Sequence, residues 1–295
     1  MKKTDQAIPD PDGSLFLCSD SPGNGIVEFQ QMVLSYYFKN GRNMPWRETT
    51  DPYHILVSEI MLQQTQVERV LKKFPEFIRI FPDFGALAAA PLADILAVWQ
   101  GMGYNRRAIA LQKCAILVMK DYQGHLPDNV ETLETFPGIG RATAGSIAAF
   151  AFNMPVVFIE TNIRRVFIHF FFPGSATVDD AEILPLVEQT VYRKNPRVWY
   201  WALMDLGTYL KNTVSNPNRR SSHYSRQTSF NGSDRKIRGR VLKILLEEHF
   251  MEDTDFVIRL GEDPVRIKRI LVTLESEGFI QQTGPGYQLK NTGGK

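Results

Sequence analysis

The chain has 295 residues, 43% of them hydrophobic, and a net charge of +2. That composition excludes disordered and fibrous classes and suits one large domain or two. No apolar run reaches the ~18 residues that cross a bilayer, the basic N-terminus has no apolar leader core, and two cysteines, Cys18 and Cys114, are too few for a disulfide scaffold or a four-thiolate cluster.

Residues 1–25, rich in Pro, Gly, Asp and Ser, read as a loose arm. Ile26, Phe29, Val33 and Tyr37 then fall at helical spacing and predict a helix to about Lys39, stopped by Asn40-Gly41. Asp51-Pro52 is a start signal, with Asp as cap and Pro in the first turn; Ile55, Leu56, Ile60 and Met61 follow. Further helices are predicted at 66–80, 84–88, 92–100, 104–121, 130–135, 141–152, 160–171, 179–193 and 196–210, separated by turns such as Phe81-Pro82, Gly101-Met102-Gly103 and Gly124. Nothing here alternates as a strand does, so this part is predicted nearly all α.

Residues 212–233 are polar, hold few large aliphatics and read as a linker. Beyond it, Ile237, Val241, Ile244 and Leu245 line one helix. A short helix covers 254–260, and a third runs from Asp263-Pro264 to Glu277. Phe279-Ile280, the turn Thr283-Gly284-Pro285-Gly286 and Tyr287-Gln288-Leu289 complete a β-hairpin. Three helices and a hairpin over 234–291 follow a winged-helix plan. The third helix carries Arg266, Lys268 and Arg269 on its polar side. Such a helix enters a DNA major groove in some domains and serves packing or protein contacts in others.

Arginines pair at Arg106-Arg107, Arg164-Arg165 and Arg219-Arg220, and Arg141 follows a Gly-rich turn. Basic residues at helix starts suit a phosphate backbone, although any one such pair is more often ordinary solvated surface. The turn is Pro137-Gly138-Ile139-Gly140, and a helix of small residues follows it. Gly138 and Gly140 admit backbone angles closed to other residues and leave N–H groups at a helix start, an anion site. Alone it is also any tight αα turn. Downstream, the apolar run from Pro155 to Ile159 ends abruptly in Glu160, followed by Thr161-Asn162-Ile163-Arg164-Arg165. Glu160 alone is explained as a helix cap.

Together these segments resemble the helix-hairpin-helix glycosylase superfamily, whose hairpin precedes a Gly/Pro-rich loop and a catalytic carboxylate. Further segments resemble the MutY adenine glycosylase family: Asn43-Met44-Pro45-Trp46-Arg47, the run from Ser58 to Val67, Trp99-Gln100-Gly101-Met102-Gly103-Tyr104 and Met204-Asp205-Leu206-Gly207. The run from Ser58 is the most specific of them. The resemblance covers about residues 26–211 and implies a mainly α, two-lobed glycosylase domain, followed by the winged-helix segment. It implies a monomer that binds double-stranded DNA holding a mismatch or an oxidised base, in the prokaryotic cytoplasm at the nucleoid.

The resemblance also assigns roles. Glu59 matches the acid that protonates the departing adenine, Glu160 falls where the family has its catalytic aspartate, and Asn162 matches an orienting asparagine. Gln64 matches a side chain inserted into the duplex, and Tyr104 one wedged beside the partner guanine. The remaining expected DNA contacts are Gln63, Thr65, Arg106, Gly138, Gly140, Arg141, Thr143, Arg164 and Arg165. Breaking a base–sugar bond builds positive charge on the sugar and negative charge on the base, so one carboxylic acid gives a proton while one carboxylate stabilises the cation. Glu59 lies amid Ile60, Met61 and Leu62, where an apolar pocket would keep it protonated. Glu160 at a helix start is expected to stay ionised.

Three departures from the family stand out. Glu160 replaces an aspartate, and one methylene displaces the carboxylate by roughly 1.5 Å, a shift that can cost on the order of a hundredfold in rate. Ala142 stands where lyase-type relatives carry a nucleophilic lysine, which implies a monofunctional enzyme. The segment after Met204-Asp205-Leu206-Gly207 holds no cysteine, so no iron–sulfur cluster is expected; the basic residues Arg219, Arg220 and Arg226 either take over phosphate contacts or are simply solvated. The five histidines show no metal-ligand spacing and no metal is expected. Where many MutY proteins read oxidised guanine with a Nudix-like domain, this chain has a winged helix. A thymine or uracil mismatch glycosylase, and a lesion-binding protein weakened by Glu160, are the alternatives.

Overall fold

A computed structural model describes residues 22–225, 230 and 232–290. The N-terminal arm to residue 21, Cys18 and Arg226 lie outside them. The helices in chain order are α1 (Pro22–Asn40), α2 (Pro52–Leu62), α3 (Val67–Ile80), α4 (Phe84–Ala89), α5 (Leu92–Trp99), α6 (Arg106–Asp121), α7 (Val130–Glu134), α8 (Arg141–Phe152), α9 (Thr161–Phe171), α10 (Asp180–Thr190), α11 (Pro196–Thr213), α12 (Asp234–Glu248), α13 (Asp253–Leu260) and α14 (Pro264–Ser276). Short 3₁₀ turns cover Pro45–Arg47 and Pro217–Arg220. The start signals act as expected: Asp51 accepts the Tyr53 N–H at 2.8 Å, and Asp263 accepts that of Arg266 at 2.9 Å. Among the described residues no helix is long and apolar enough to cross a membrane.

The chain divides into two compact units. Among the described residues, the first comprises 22–55, 128–134 and 139–225; the second, 56–127, 135–138, 230 and 232–290. In the first, α1, α8, α9 and α11 share an aromatic core. Phe29 stands edge-on to Phe167, Phe171 and Trp199, with centroids 4.9–5.9 Å apart. Beside this core Asp205 on α11 is 3% exposed and collects two guanidiniums. Arg47 forks onto it with two bonds of 2.9 Å, and Arg42 donates its Nε at 2.7 Å and its backbone N–H at 2.8 Å. A buried carboxylate is tolerable only when its lone pairs are filled, and here two cations fill them. The segments Pro45-Trp46-Arg47 and Met204-Asp205-Leu206-Gly207 therefore meet in space.

The second unit packs α3 to α6 around Phe77, Phe81 and Trp99. It also holds α12–α14 and three strands, β1 (Phe250–Glu252), β2 (Ile280–Thr283) and β3 (Gly286–Leu289), in the order β1-β3-β2. All pairs are antiparallel; Met251 and Gln282 both register with Tyr287. Sequence reading gives β2 and β3 but not β1, whose three residues are exposed, half-buried and exposed. A strand so short gives no alternation to detect.

Part of the expected linker is folded. α11 runs on to Thr213, and in the turn that follows Pro217 and Asn218 are buried. Val178 and Ser221 form a parallel bridge. Arg220 donates to Ile168 O, Phe172 O, Pro173 O and Ser175 O, so it closes the carbonyl end of α9, a position a cation favours. It is a structural residue, whereas Arg219 is exposed.

Candidate DNA-processing site

Glu160 caps α9. Its Oε1 accepts the N–H of Asn162 at 2.7 Å and of Ile163 at 2.9 Å. Asn162 turns its amide nitrogen to Glu160 Oε2 at 3.3 Å, while its Oδ1 accepts from Arg165 Nη1 at 2.6 Å. The relay Arg165–Asn162–Glu160 thus fixes which edge of the Asn162 amide faces the carboxylate. Glu160 keeps partial surface exposure but is densely surrounded by protein, and this burial pushes its carboxyl above the usual range. The N–H groups of Ile163 and Asn162 and the charges of Arg165 and Arg164 oppose the rise without cancelling it. The helix start alone therefore does not set its ionisation, as the sequence reading assumed.

Two expected DNA contacts are placed otherwise. Arg164 forks onto Asp180 with two bonds of 2.6 Å. Arg165 is 3% exposed and also donates to Asn216 Oδ1 at 3.1 Å and Gly207 O at 2.8 Å. Both guanidiniums bond within the protein and brace α9. Asn218 adds a bond from its Nδ2 to Thr161 O at 2.8 Å. The turn after α11 thereby clasps the start of α9.

Gly207 explains the other end of its motif. A Cβ added there would stand 2.5 Å from Asn162 O and 2.6 Å from Asn162 Cβ, so α11 and α9 touch only because residue 207 has none. Gly207→Ala is expected to cost about 1–3 kcal/mol by overpacking and to slow base release by displacing Asn162. Thermal melting and a single-turnover assay check both effects.

In the second unit the residues expected to probe the duplex gather around Arg107. Its side chain is buried and donates to Ile60 O (2.9 Å), Met61 O (2.8 Å), Gln63 O (2.7 Å), Thr65 Oγ1 (2.9 Å), Met102 O (3.3 Å), Gly103 O (3.0 Å) and Tyr104 O (3.4 Å). It thereby closes the C-terminal end of α2 and ties the Gln63–Thr65 turn to the Met102–Tyr104 turn. Desolvation brings its guanidinium down to about 10, still charged at neutral pH. Gln64 (φ 53°) and Tyr104 (φ 47°) are both left-handed, a conformation uncommon for non-glycine residues. Gln63 donates to Gly138 O at 3.1 Å, and Cys114 Sγ to Pro137 O at 3.2 Å, which pins the hairpin turn. Gly138 has φ +77°, and Ala110 leaves no room for a Cβ there.

Glu59 lies half-buried in the last turn of α2, in the second unit, whereas Glu160 belongs to the first. Gly140 precedes the first turn of α8, which carries Ala142 and Thr143. Arg141 is exposed there, 3.8 Å from Glu134. Arg106, the exposed member of its pair, bonds Glu277. Of the two neighbours, sequence reading singled out Arg106; Arg107 is the organising one. The signal was present, since Arg107 shares a helical face with Leu111, Cys114 and Val118, all buried.

A four-thiolate iron–sulfur cluster does not fit these residues. The chain has two cysteines, Cys114 is buried in α6, and the segment after Gly207 brings amides and guanidiniums instead. Among the described residues no group of three or more His, Cys, Asp or Glu is placed to hold a metal ion.

Residues 57–184 match the HhH-GPD superfamily base excision DNA repair protein family. The adenine DNA glycosylase of Mycobacterium tuberculosis (strain ATCC 25618 / H37Rv) is 33% identical over 279 residues, covering 86% of this chain and 90% of the relative. That of Mycolicibacterium smegmatis is 32% identical over 279 residues, covering 86% and 93%. A solved thermostable thymine-DNA glycosylase superposes with a TM-score of 0.59 at 24% identity, over 68% of this chain and 94% of that one, a likeness of fold. The chain belongs to the HhH-GPD superfamily of base excision DNA repair proteins and, within it, to the adenine DNA glycosylase family. It is a DNA N-glycosylase of base excision repair.

Proposed function

We propose that this glycosylase hydrolyses the bond between deoxyribose and an adenine mispaired with guanine or 8-oxoguanine in double-stranded DNA. The observation that carries the reading is the capped carboxylate of Glu160, oriented through Asn162 and Arg165, in a chain 86% of which is covered by the mycobacterial adenine glycosylase it resembles. Glu160 stabilises the positive charge on the sugar, and Glu59 protonates the leaving base. Gln64 and Tyr104 enter the duplex as the adenine leaves the stack, with Gln63, Thr65, Arg106, Arg141, Thr143 and the hairpin N–H groups on the strands.

The enzyme is monofunctional, because Ala142 offers no amine for a Schiff base. It works as a monomer without metal or iron–sulfur cluster, in the prokaryotic cytoplasm at the nucleoid. Its catalytic domain is residues 26–211, joined through 212–233 to a winged-helix domain at 234–291.

The test is a panel of duplexes holding adenine opposite 8-oxoguanine or guanine, thymine opposite guanine and uracil opposite guanine. Hot alkali after incubation cuts any abasic site. Cleavage at adenine is expected, with none before the alkali. Cleavage at thymine or uracil alone would overturn the adenine reading, and cleavage without alkali would overturn monofunctionality.

A further inference from the structure

The second unit contains a cavity of about 1150 Å³ walled by the turn at 63–66, the segment 100–107 and one face of α12. Among the described residues its lining includes eight Lys or Arg side chains and one carboxylate, Asp234. Such a cleft concentrates polyanions. Sequence reading left the third helix of the winged-helix segment open between groove binding and packing. There, however, the charges are already neutralised: Arg266 pairs with Asp234 at 2.8 Å and Glu262 at 3.1 Å, Arg269 with Asp234 at 2.7 Å, and Lys268 with Asp253 at 3.3 Å. Of the eight cations lining the cleft, Arg106 and Arg238 pair with Glu277, and Lys243 with Glu247. Five of the eight, Arg235, Lys236, Arg238, Arg240 and Lys243, belong to α12.

One of them touches Tyr104. Arg235 bonds the phenol oxygen and places its guanidinium 5.2 Å from the ring centroid; Arg107 adds a second guanidinium at 5.6 Å. The ring is thus held by cation–π attraction and by its hydroxyl, above a backbone fixed in the left-handed region. Exposed Lys236 follows one position after Arg235, and exposed Arg69 lines the same cleft.

We propose that α12 is the second wall of the pocket for the nucleotide opposite the excised base, and that Arg235 is the residue that positions Tyr104 against that nucleotide. The inference rests on the reading of Tyr104 as the side chain beside the partner base. Its ligand class follows from the lining: a flat base beside the phenol ring, and a phosphodiester among the lysines and arginines.

The test uses the full-length chain and two readouts. The first is single-turnover release of adenine opposite 8-oxoguanine, guanine or cytosine. The second is binding to the same duplexes carrying 2′-fluoro-adenosine, whose glycosidic bond resists cleavage. Arg235→Ala is expected to flatten the preference among partner bases by roughly tenfold, in binding and in rate alike. Arg235→Lys, which keeps a cation near the ring, should restore part of it. In combination with Tyr104→Phe the effect should be strongly non-additive, as for two members of one contact. Should Arg235→Ala fold poorly, the Lys variant and Tyr104→Phe carry the same comparison. Unchanged partner preference in Arg235→Ala, or additive effects in the double variant, would overturn the inference. A wild-type chain that binds with partner preference but releases no adenine would overturn the adenine reading alone, since the binding readout still decides the role of Arg235.

Discussion

Glu160→Gln loses adenine release by on the order of a thousandfold, the scale seen when a group that stabilises transition-state charge is removed. Glutamine still presents an oxygen to the N–H groups of Asn162 and Ile163, so the α9 cap, worth about 1 kcal/mol, survives and the loss is chemical. The pH dependence has a definite sign. Burial raises the Glu160 carboxyl in the folded protein. Its contribution to stability is fully present below the carboxyl's unfolded pKa and is lost as pH rises through the folded value. The wild-type chain therefore loses stability relative to Glu160→Gln as pH climbs through that interval, while its rate rises as the carboxylate ionises. Glu160→Asp keeps the charge and the cap and should retain cleavage. Melting and single-turnover rates of the three proteins across that pH range decide the matter. A Gln variant as fast as wild type would remove Glu160 from the chemistry.

Arg107→Met has the largest expected effect on stability. One side chain supplies seven hydrogen bonds to α2 and two turns, and methionine of similar length supplies none. Acceptors left buried without a donor, at a site built for a cation, put the cost at about 3–5 kcal/mol. Lysine is no substitute, because a single ammonium cannot fork to both turns. Urea unfolding should show a lowered midpoint, and duplex binding should fall with it, since Gln64 and Tyr104 lose their common anchor. A variant within about 1 kcal/mol of wild type would show that the turns hold themselves.

The helices were legible because their apolar faces are periodic. The reading of α8 at 141–152 coincides with the observed helix, and most others differ at their ends by a few residues. The turn after α11 was not legible. It is fastened by Asn216, Asn218 and Arg220 through side-chain and main-chain bonds, which leave no hydrophobic pattern and look like a polar linker. Glu160 and Asn162 stand out in the sequence, but the partners that hold them lie far along the chain. Arg165 reaches Asn216 across 51 positions and Gly207 across 42. No local rule links such residues. The contact of Arg235 with Tyr104 leaves no local signal either, since the two are 131 positions apart.

The clasp of Asn216, Asn218 and Arg165 on the start of α9 also bears on how the protein matures and ages. A buttress of amides and a guanidinium is complete when translation and folding are complete. Every part of it is a side-chain or main-chain group of the chain itself. Its weakness is of another kind: slow hydrolysis of Asn218 to aspartate would replace the amide that donates to Thr161 O by a carboxylate that repels it, and would loosen the clasp.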